Sequence, residues 1–134
     1  MMTDEIHIPI RSESDIVLAR QNGRSIAVEA GFSGSDLTVI ATAISEVARN
    51  IVTYAKKGEI QISPVSDMGK TGLLIIASDE GPGIADISLA LQDGYSTSRS
   101  LGLGLPGVRR LMDEFSIDSE VGKGTTVTLK KWKR

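Results

Sequence analysis

Asp79-Glu80-Gly81-Pro82-Gly83 and Gly102-Leu103-Gly104, with the helical pair Glu46-x-x-x-Asn50 upstream of both, decide how this chain folds and what it holds. Glycine has no side chain, so its amide can come close to a phosphate or a base, and it takes positive φ where the chain turns sharply. Eight of the chain's 14 glycines fall between Gly81 and Gly124. That concentration implies a ligand wrapped by the C-terminal half, with the N-terminal half supplying the reactive side chains.

Upstream of these loops, Ile6, Ile8 and Ile10 alternate with polar residues and predict a short half-buried strand, followed by Ser12 or Ser14 as a helix cap. Ile16, Ala19, Gly23, Ile26, Ala27 and Ala30 recur near 3.6 residues and predict a helix over 14–30, stopped at Gly31. A second helix follows Ser35, with Leu37, Ile40, Ala41, Ile44, Val47, Ala48, Ile51 and Ala55 as a broad apolar face and Gly58 as its stop. Residues 59–65 and 72–79 read as strands of a hairpin, with Pro64 at an edge or bulge. Beyond Asp79, a weak helix is expected over 86–92. The polar run Asp93-Gly-Tyr-Ser-Thr-Ser-Arg-Ser100 has no apolar period and is the candidate lid. Pro106 suits a first helical turn and predicts a helix over about 105–115 carrying Val108, Leu111, Met112 and Phe115. Strands over about 115–121 and 125–132 flank the turn at Gly122-Lys-Gly124. In this order the elements predict an α/β (α+β) two-layer sandwich, a mixed sheet of about five strands covered on one face by three main helices.

With 134 residues the chain is expected to form one domain, 1–134. It has no cysteine and a formal charge of −2 with both signs interspersed. Disulfides, thiolate metal sites and a broad nucleic-acid footprint are therefore not expected, although the tail Lys130-Lys131-Trp132-Lys133-Arg134 is locally basic. No apolar run approaches a membrane span and the N-terminus is acidic, so a cytoplasmic protein without a membrane partner is expected. Two motif matches fail on context. Gly102-x-Gly104-x-x-Gly107 spells a dinucleotide fingerprint, but a polar segment precedes it and too little chain follows for a Rossmann fold. Gly69-Lys70-Thr71 resembles the end of a P-loop, but Pro64 stands where the first glycine belongs.

Four helical residues advance about one turn, so Glu46 and Asn50 project on one side, together with Thr42, Arg49 and Thr53. Alone, this is better explained by a solvated stripe with a Glu46–Arg49 ion pair, which contributes about 0.3 to 0.5 kcal/mol. Combined with the loops it has a chemical meaning. Asn50, a neutral oxygen donor, can ligate Mg²⁺ bridging ATP phosphates, and Glu46 can accept a proton from an attacking hydroxyl. Asp79 is either a turn residue or a carboxylate that accepts the exocyclic amine of adenine. Gly81 and Gly83 would leave room for the ring, and Gly102 and Gly104 would offer amides to phosphate at a helix start. Thr125 after Gly124 reads by itself as a strand residue.

Glu46-x-x-x-Asn50, Asp79-x-Gly81-x-Gly83, Gly102-x-Gly104 and Gly124-Thr125 resemble, in order, the N box, the two glycine boxes and the terminal Gly-Thr of the GHKL ATPases. Ala43-Ile-Ser-Glu46-Val-Ala-Arg-Asn50-Ile51 and Asp79-Glu-Gly-Pro-Gly-Ile84 narrow the resemblance to the small bacterial anti-sigma-factor type serine/threonine kinases. It runs from about Asp15 to Trp132. The resemblance implies a Bergerat ATP-binding fold, ATP and Mg²⁺ as ligands, and phosphorylation of a STAS-domain partner. It also implies subsequent binding of a PP2C-type phosphatase, with direct capture of a sigma factor as the alternative output. It assigns Glu46 as catalytic base, Asn50 to Mg²⁺, and Asp79, Gly81, Gly83 and Thr125 to the adenine side. Gly102 and Gly104 go to the phosphates. Ser98-Arg-Ser100 departs from the more glycine-rich lid of that family.

Overall fold

A computed structural model describes residues 5–84 and 104–133. The expected helix over 86–92, the candidate lid and Gly102 lie outside the described residues. The elements run β1 (Ile6–Ile10), α1 (Glu13–Glu29), α2 (Ser35–Asn50) with a π-helical continuation over Ile51–Ala55, β2 (Gly58–Asp67), β3 (Lys70–Asp79), α3 (Gly104–Leu111), β4 (Glu114–Glu120) and β5 (Gly124–Trp132).

The five strands form one sheet in the order β1-β2-β3-β5-β4. All four pairings are antiparallel, which corrects the expected mixed sheet. Two helices, not one, separate β1 from β2, so the chain comes back in the opposite direction. β3 and β4 do run the same way, but β5 inserts between them and pairs with both. The β2–β3 turn is tighter than the expected strands 59–65 and 72–79 leave between them. Met68 and Gly69 alone make it, at φ 51° and 82°, the left-handed pair that two-residue hairpins favour. Pro64 pairs opposite Leu73 in β2. The β1–β2 register runs as far as Ile6–Ile62, so among the described residues no β1 residue pairs with Pro64 on that side.

Period and burial agree on the core. Ile8, Ile10, Ile60, Ile62, Leu73, Ile75, Val127 and Leu129 line one sheet face against Ile16, Ile26, Ile40, Ile44, Val47 and Val108 from the helices, all buried. Each such side chain contributes about 1.5–3 kcal/mol by leaving water. Gly23 lets α1 and α2 approach closely, since a Cβ there would stand 2.2 Å from Ile44 Cδ1. Ser12 occupies the α1 cap position, and the Asp15 carboxylate accepts the amides of Arg11 (2.9 Å) and Ser12 (3.2 Å). Gly31 ends α1 at φ 100°, as expected.

Two expected boundaries are corrected. Lys56, at φ 77°, terminates the α2 extension where Gly58 was expected to. Gly58 instead opens β2, because a Cβ there would meet the Ser78 carbonyl at 2.4 Å and Ile51 Cγ2 at 2.9 Å. α3 ends at Leu111, and Phe115 belongs to β4, where it pairs opposite Leu129.

Candidate functional site

Glu46 is 8% exposed. Its helix face carries polar residues, but α3 packs over it, and the Gly104 amide donates to Glu46 Oε1 at 3.1 Å. The solvated-stripe account of Glu46 therefore does not hold. Among the described residues no ion pair joins Glu46 to Arg49; the carboxylate faces the first residue of α3. Gly104 sits at φ 68°, a left-handed conformation that glycine adopts without strain. Asn50 is the last α-helical residue before the π-helical turn, whose wider ring is closed by the Lys56 amide on the Ile51 carbonyl at 2.8 Å. Such single π turns recur where a helix must present side chains out of regular register.

Asp79 ends β3 and organises a second cluster. Its Oδ1 accepts the amides of Gly81 (2.9 Å) and Thr125 (3.3 Å). Oδ2 has no hydrogen-bond partner among the described residues, so one carboxylate oxygen fixes the backbone and the other can take an external donor. Gly124 allows this approach of β5, since at φ 124° its Cβ would lie 2.0 Å from the Asp79 carbonyl. The two loop glycines also meet close neighbours within the fold. A Cβ on Gly81 would meet Ala55 Cβ at 2.5 Å, and one on Gly83 would meet the Glu120 carbonyl at 2.3 Å. Their smallness therefore lets the loop pack on the α2 extension and on the β4–β5 hairpin.

Ser119, which sequence reasoning did not single out, joins these parts. Its hydroxyl accepts the Ile84 amide at 2.7 Å, donates to the Gly124 carbonyl at 3.2 Å, and lies 2.8 Å from Thr125 Oγ1. With one proton and two lone pairs, Ser119 is fully satisfied when Thr125 donates to it. The Gly122 amide donates to the Pro82 carbonyl at 2.8 Å, a further tie between loop and hairpin. Nothing in the alternating pattern of β4 marks Ser119, because its partners are distant in sequence.

The fold therefore brings Glu46 to Gly104, and Asp79 to Gly81 and Thr125. Asn50 leads into the π turn whose Ala55 abuts Gly81. A groove of about 540 Å³ lies on the β1–β2 side of Asp79, lined also by Arg11, Ala55, Lys57, Glu59 and Glu80, and does not reach Glu46 or Asn50. Among the described residues no group of three or more His, Asp or Glu side chains could hold a metal by itself, and no helix is long and apolar enough to cross a membrane.

Residues 9–131 match the histidine kinase-like ATPase domain. The chain is 56% identical to the serine/threonine-protein kinase RsbT of Bacillus subtilis, over 99% of this chain and 100% of that protein. It is 34% identical to the anti-sigma F factor of Geobacillus stearothermophilus over 97% of this chain and 93% of the relative. Its fold is similar to a crystal structure of the RsbU and RsbW domains of a Mycobacterium tuberculosis protein, at a TM-score of 0.67 and 22% identity, covering 98% of this chain and 34% of that one. The chain thus belongs to the histidine kinase-like ATPase family, a class of nucleotide-using domains, and within it to the serine/threonine-protein kinases.

Proposed function

We propose that residues 1–134 act as one ATP- and Mg²⁺-dependent kinase domain that phosphorylates serine or threonine on a STAS-domain scaffold or antagonist protein. Afterwards it binds and activates a PP2C-type phosphatase, as a partner-switching regulator of a stress-response sigma-factor pathway. The observation that carries the catalytic part is the buried Glu46 carboxylate at the first amide of α3. A proton acceptor and a phosphate-binding helix start are thereby adjacent, which is what transfer from a nucleotide to a hydroxyl needs. The similarity to RsbT over the full chain supports the protein substrate and the change of partner.

In this reading Asp79 Oδ2 accepts the adenine amine, while its Oδ1 keeps the Gly81 and Thr125 amides in place. Gly102 and Gly104 serve the phosphates; the Gly104 amide, held by Glu46 Oε1 in the nucleotide-free protein, passes to a phosphate oxygen when nucleotide binds. The donor set fits Mg²⁺ rather than a protein-caged metal: Asn50 would supply one neutral oxygen, with phosphates and water as the remaining ligands. Mg²⁺, when bound, neutralises charge on the phosphate oxygens. Glu46 takes the acceptor's proton as the hydroxyl oxygen attacks the terminal phosphorus, and ADP leaves with the bridging oxygen.

Incubating the protein with radiolabelled ATP, Mg²⁺ and a candidate STAS protein tests this directly. Label on the STAS protein is expected, and nucleotide binding without transfer would leave a non-catalytic adaptor instead. The similarity to anti-sigma F factors favours one second reading, direct capture of a sigma factor. A pull-down from a bacterial lysate separates a sigma factor from a phosphatase as the bound partner.

A further inference from the structure

Among the described residues, Arg49 Nε is the one buried side-chain nitrogen or oxygen without a hydrogen-bond partner. Arg49 lies three residues after Glu46 on α2, so the two are neighbours on one side of the helix, and Asn50 follows about 100° further round. The obvious partner does not serve it. Glu46 Oε1 accepts the Gly104 amide instead, and no other carboxylate pairs with Arg49 among the described residues. A guanidinium is always charged and offers five N–H donors in a rigid fork, so a buried donor on it calls for an anionic oxygen acceptor.

We infer that Arg49 binds the terminal phosphate of the nucleotide. This rests on the nucleotide site proposed above, and adds a residue to which neither the motifs nor the resemblance gave a part. Phosphate oxygens match the guanidinium fork in charge and shape, often through two parallel hydrogen bonds. Its neighbours on the helix are the proposed base and the proposed Mg²⁺ ligand, so the phosphate within reach is the one to be transferred. Arg49 then makes the site prefer triphosphate over diphosphate. It also explains why an uncompensated donor is kept inside the nucleotide-free protein: the acceptor arrives with the ligand.

The test compares a β,γ-imido ATP analogue with ADP, each with Mg²⁺, by calorimetry on the parent, Arg49→Lys and Arg49→Met. The parent is expected to prefer the triphosphate. Arg49→Met should lose about tenfold or more in affinity for the triphosphate analogue and little for ADP, with Arg49→Lys between, since it keeps the charge and loses the fork. Nucleotide-free Arg49→Met should melt no lower than the parent, because the orphaned donor is gone. Equal losses for both nucleotides, no loss for either, or a lowered melting temperature would each make Arg49 a structural residue and overturn the proposal. A parent that binds neither nucleotide would overturn it together with the nucleotide site itself, whereas normal parental binding with an unselective Arg49→Met effect removes Arg49 alone.

Discussion

The Gly104 amide donates to Glu46 Oε1 at 3.1 Å across 58 residues of sequence, so one carboxylate both anchors the start of α3 and stands beside the proposed phosphate amides. Two substitutions separate these tasks. Glu46→Gln keeps an oxygen acceptor for the amide, so nucleotide affinity should be near parental while transfer to a protein hydroxyl is lost. Glu46→Ala removes the anchor too, and should lower unfolding stability by about 1.5–3 kcal/mol, the range for a hydrogen bond to a charged group. Radiolabel transfer and urea unfolding read the two effects; near-parental transfer by Glu46→Gln would end its role as base.

Asp79→Asn is a clean probe because the two oxygens have different neighbours. The amide oxygen of asparagine can still accept from Gly81 and Thr125, so the loop should stay in place. An NH₂ group then stands where Oδ2 would meet the adenine amine, donor against donor. Loss of that charge-assisted bond should weaken ATP binding by about 1.5 to 3 kcal/mol, roughly ten- to a hundredfold. Unchanged ATP affinity in calorimetry would rule Asp79 out of the adenine site.

What the sequence disclosed and what it hid follow from distance along the chain. The apolar faces of α1 and α2 were legible because helix period is local, as Ile16, Ala19, Ile26, Ile40 and Ile44 show. Boundaries were less so. The Lys56 turn carries no glycine, and Phe115 continues the apolar spacing of α3 although it packs from β4. The candidate site residues could be named from glycine spacing and the family pattern. Their surroundings could not, because burial of Glu46 comes from α3 and the partners of Ser119 come from two other segments. Nor does spacing tell why Gly81 and Gly83 are small, since Ala55 and Glu120 lie far from them in sequence.

Ser119→Ala should show how much the hydroxyl hub contributes. It strips the Ile84 amide of its acceptor and Thr125 Oγ1 of its neighbour. Part-buried groups left unpaired cost about 1–3 kcal/mol, so the urea midpoint should fall and nucleotide affinity should fall with it. If stability drops while ATP affinity is untouched, the hairpin supports the fold but not the adenine side.

His7 on β1 tests the electrostatics of the sheet edge. Its Nδ1 lies 3.0 Å from Glu59 Oε2, and its Nε2 lies 3.5 Å from Glu5 Oε2. The hydrogen bond to Glu59 is the largest influence and raises its pKa above the usual 6.5; loss of solvent opposes it, and attraction to Glu59 and Glu5 adds to the rise. A raised pKa means the folded state holds the proton more tightly. The contribution to stability is thus complete below the ordinary histidine value and disappears as pH climbs through the raised one. The ring should titrate above a free histidine by NMR, and Glu59→Gln should bring the midpoint down; a midpoint at or below the free value contradicts the pairing.

α1 carries a partner surface if exposed apolar groups beside like charges mean what they do elsewhere. Val17 is 41% and Val28 50% exposed, and Arg20 and Arg24 lie on the same exposed flank, outside the buried Ile16, Ala19 and Ile26 face. Solvated arginines lying over aliphatic neighbours would look similar, so the choice is experimental. Apolar contact ringed by guanidinium groups suits an acidic protein surface, and charge reversal there acts on association more than on folding. Arg20→Glu should weaken capture of a STAS scaffold and of a PP2C-type phosphatase by about tenfold or more, the effect of losing a favourable charge contact and gaining a repulsive one. ATP affinity should not change, because Arg20 touches neither the Glu46–Gly104 nor the Asp79–Thr125 cluster. A pull-down with both partners beside an ATP titration decides it, and full capture of both by Arg20→Glu removes α1 from the interface.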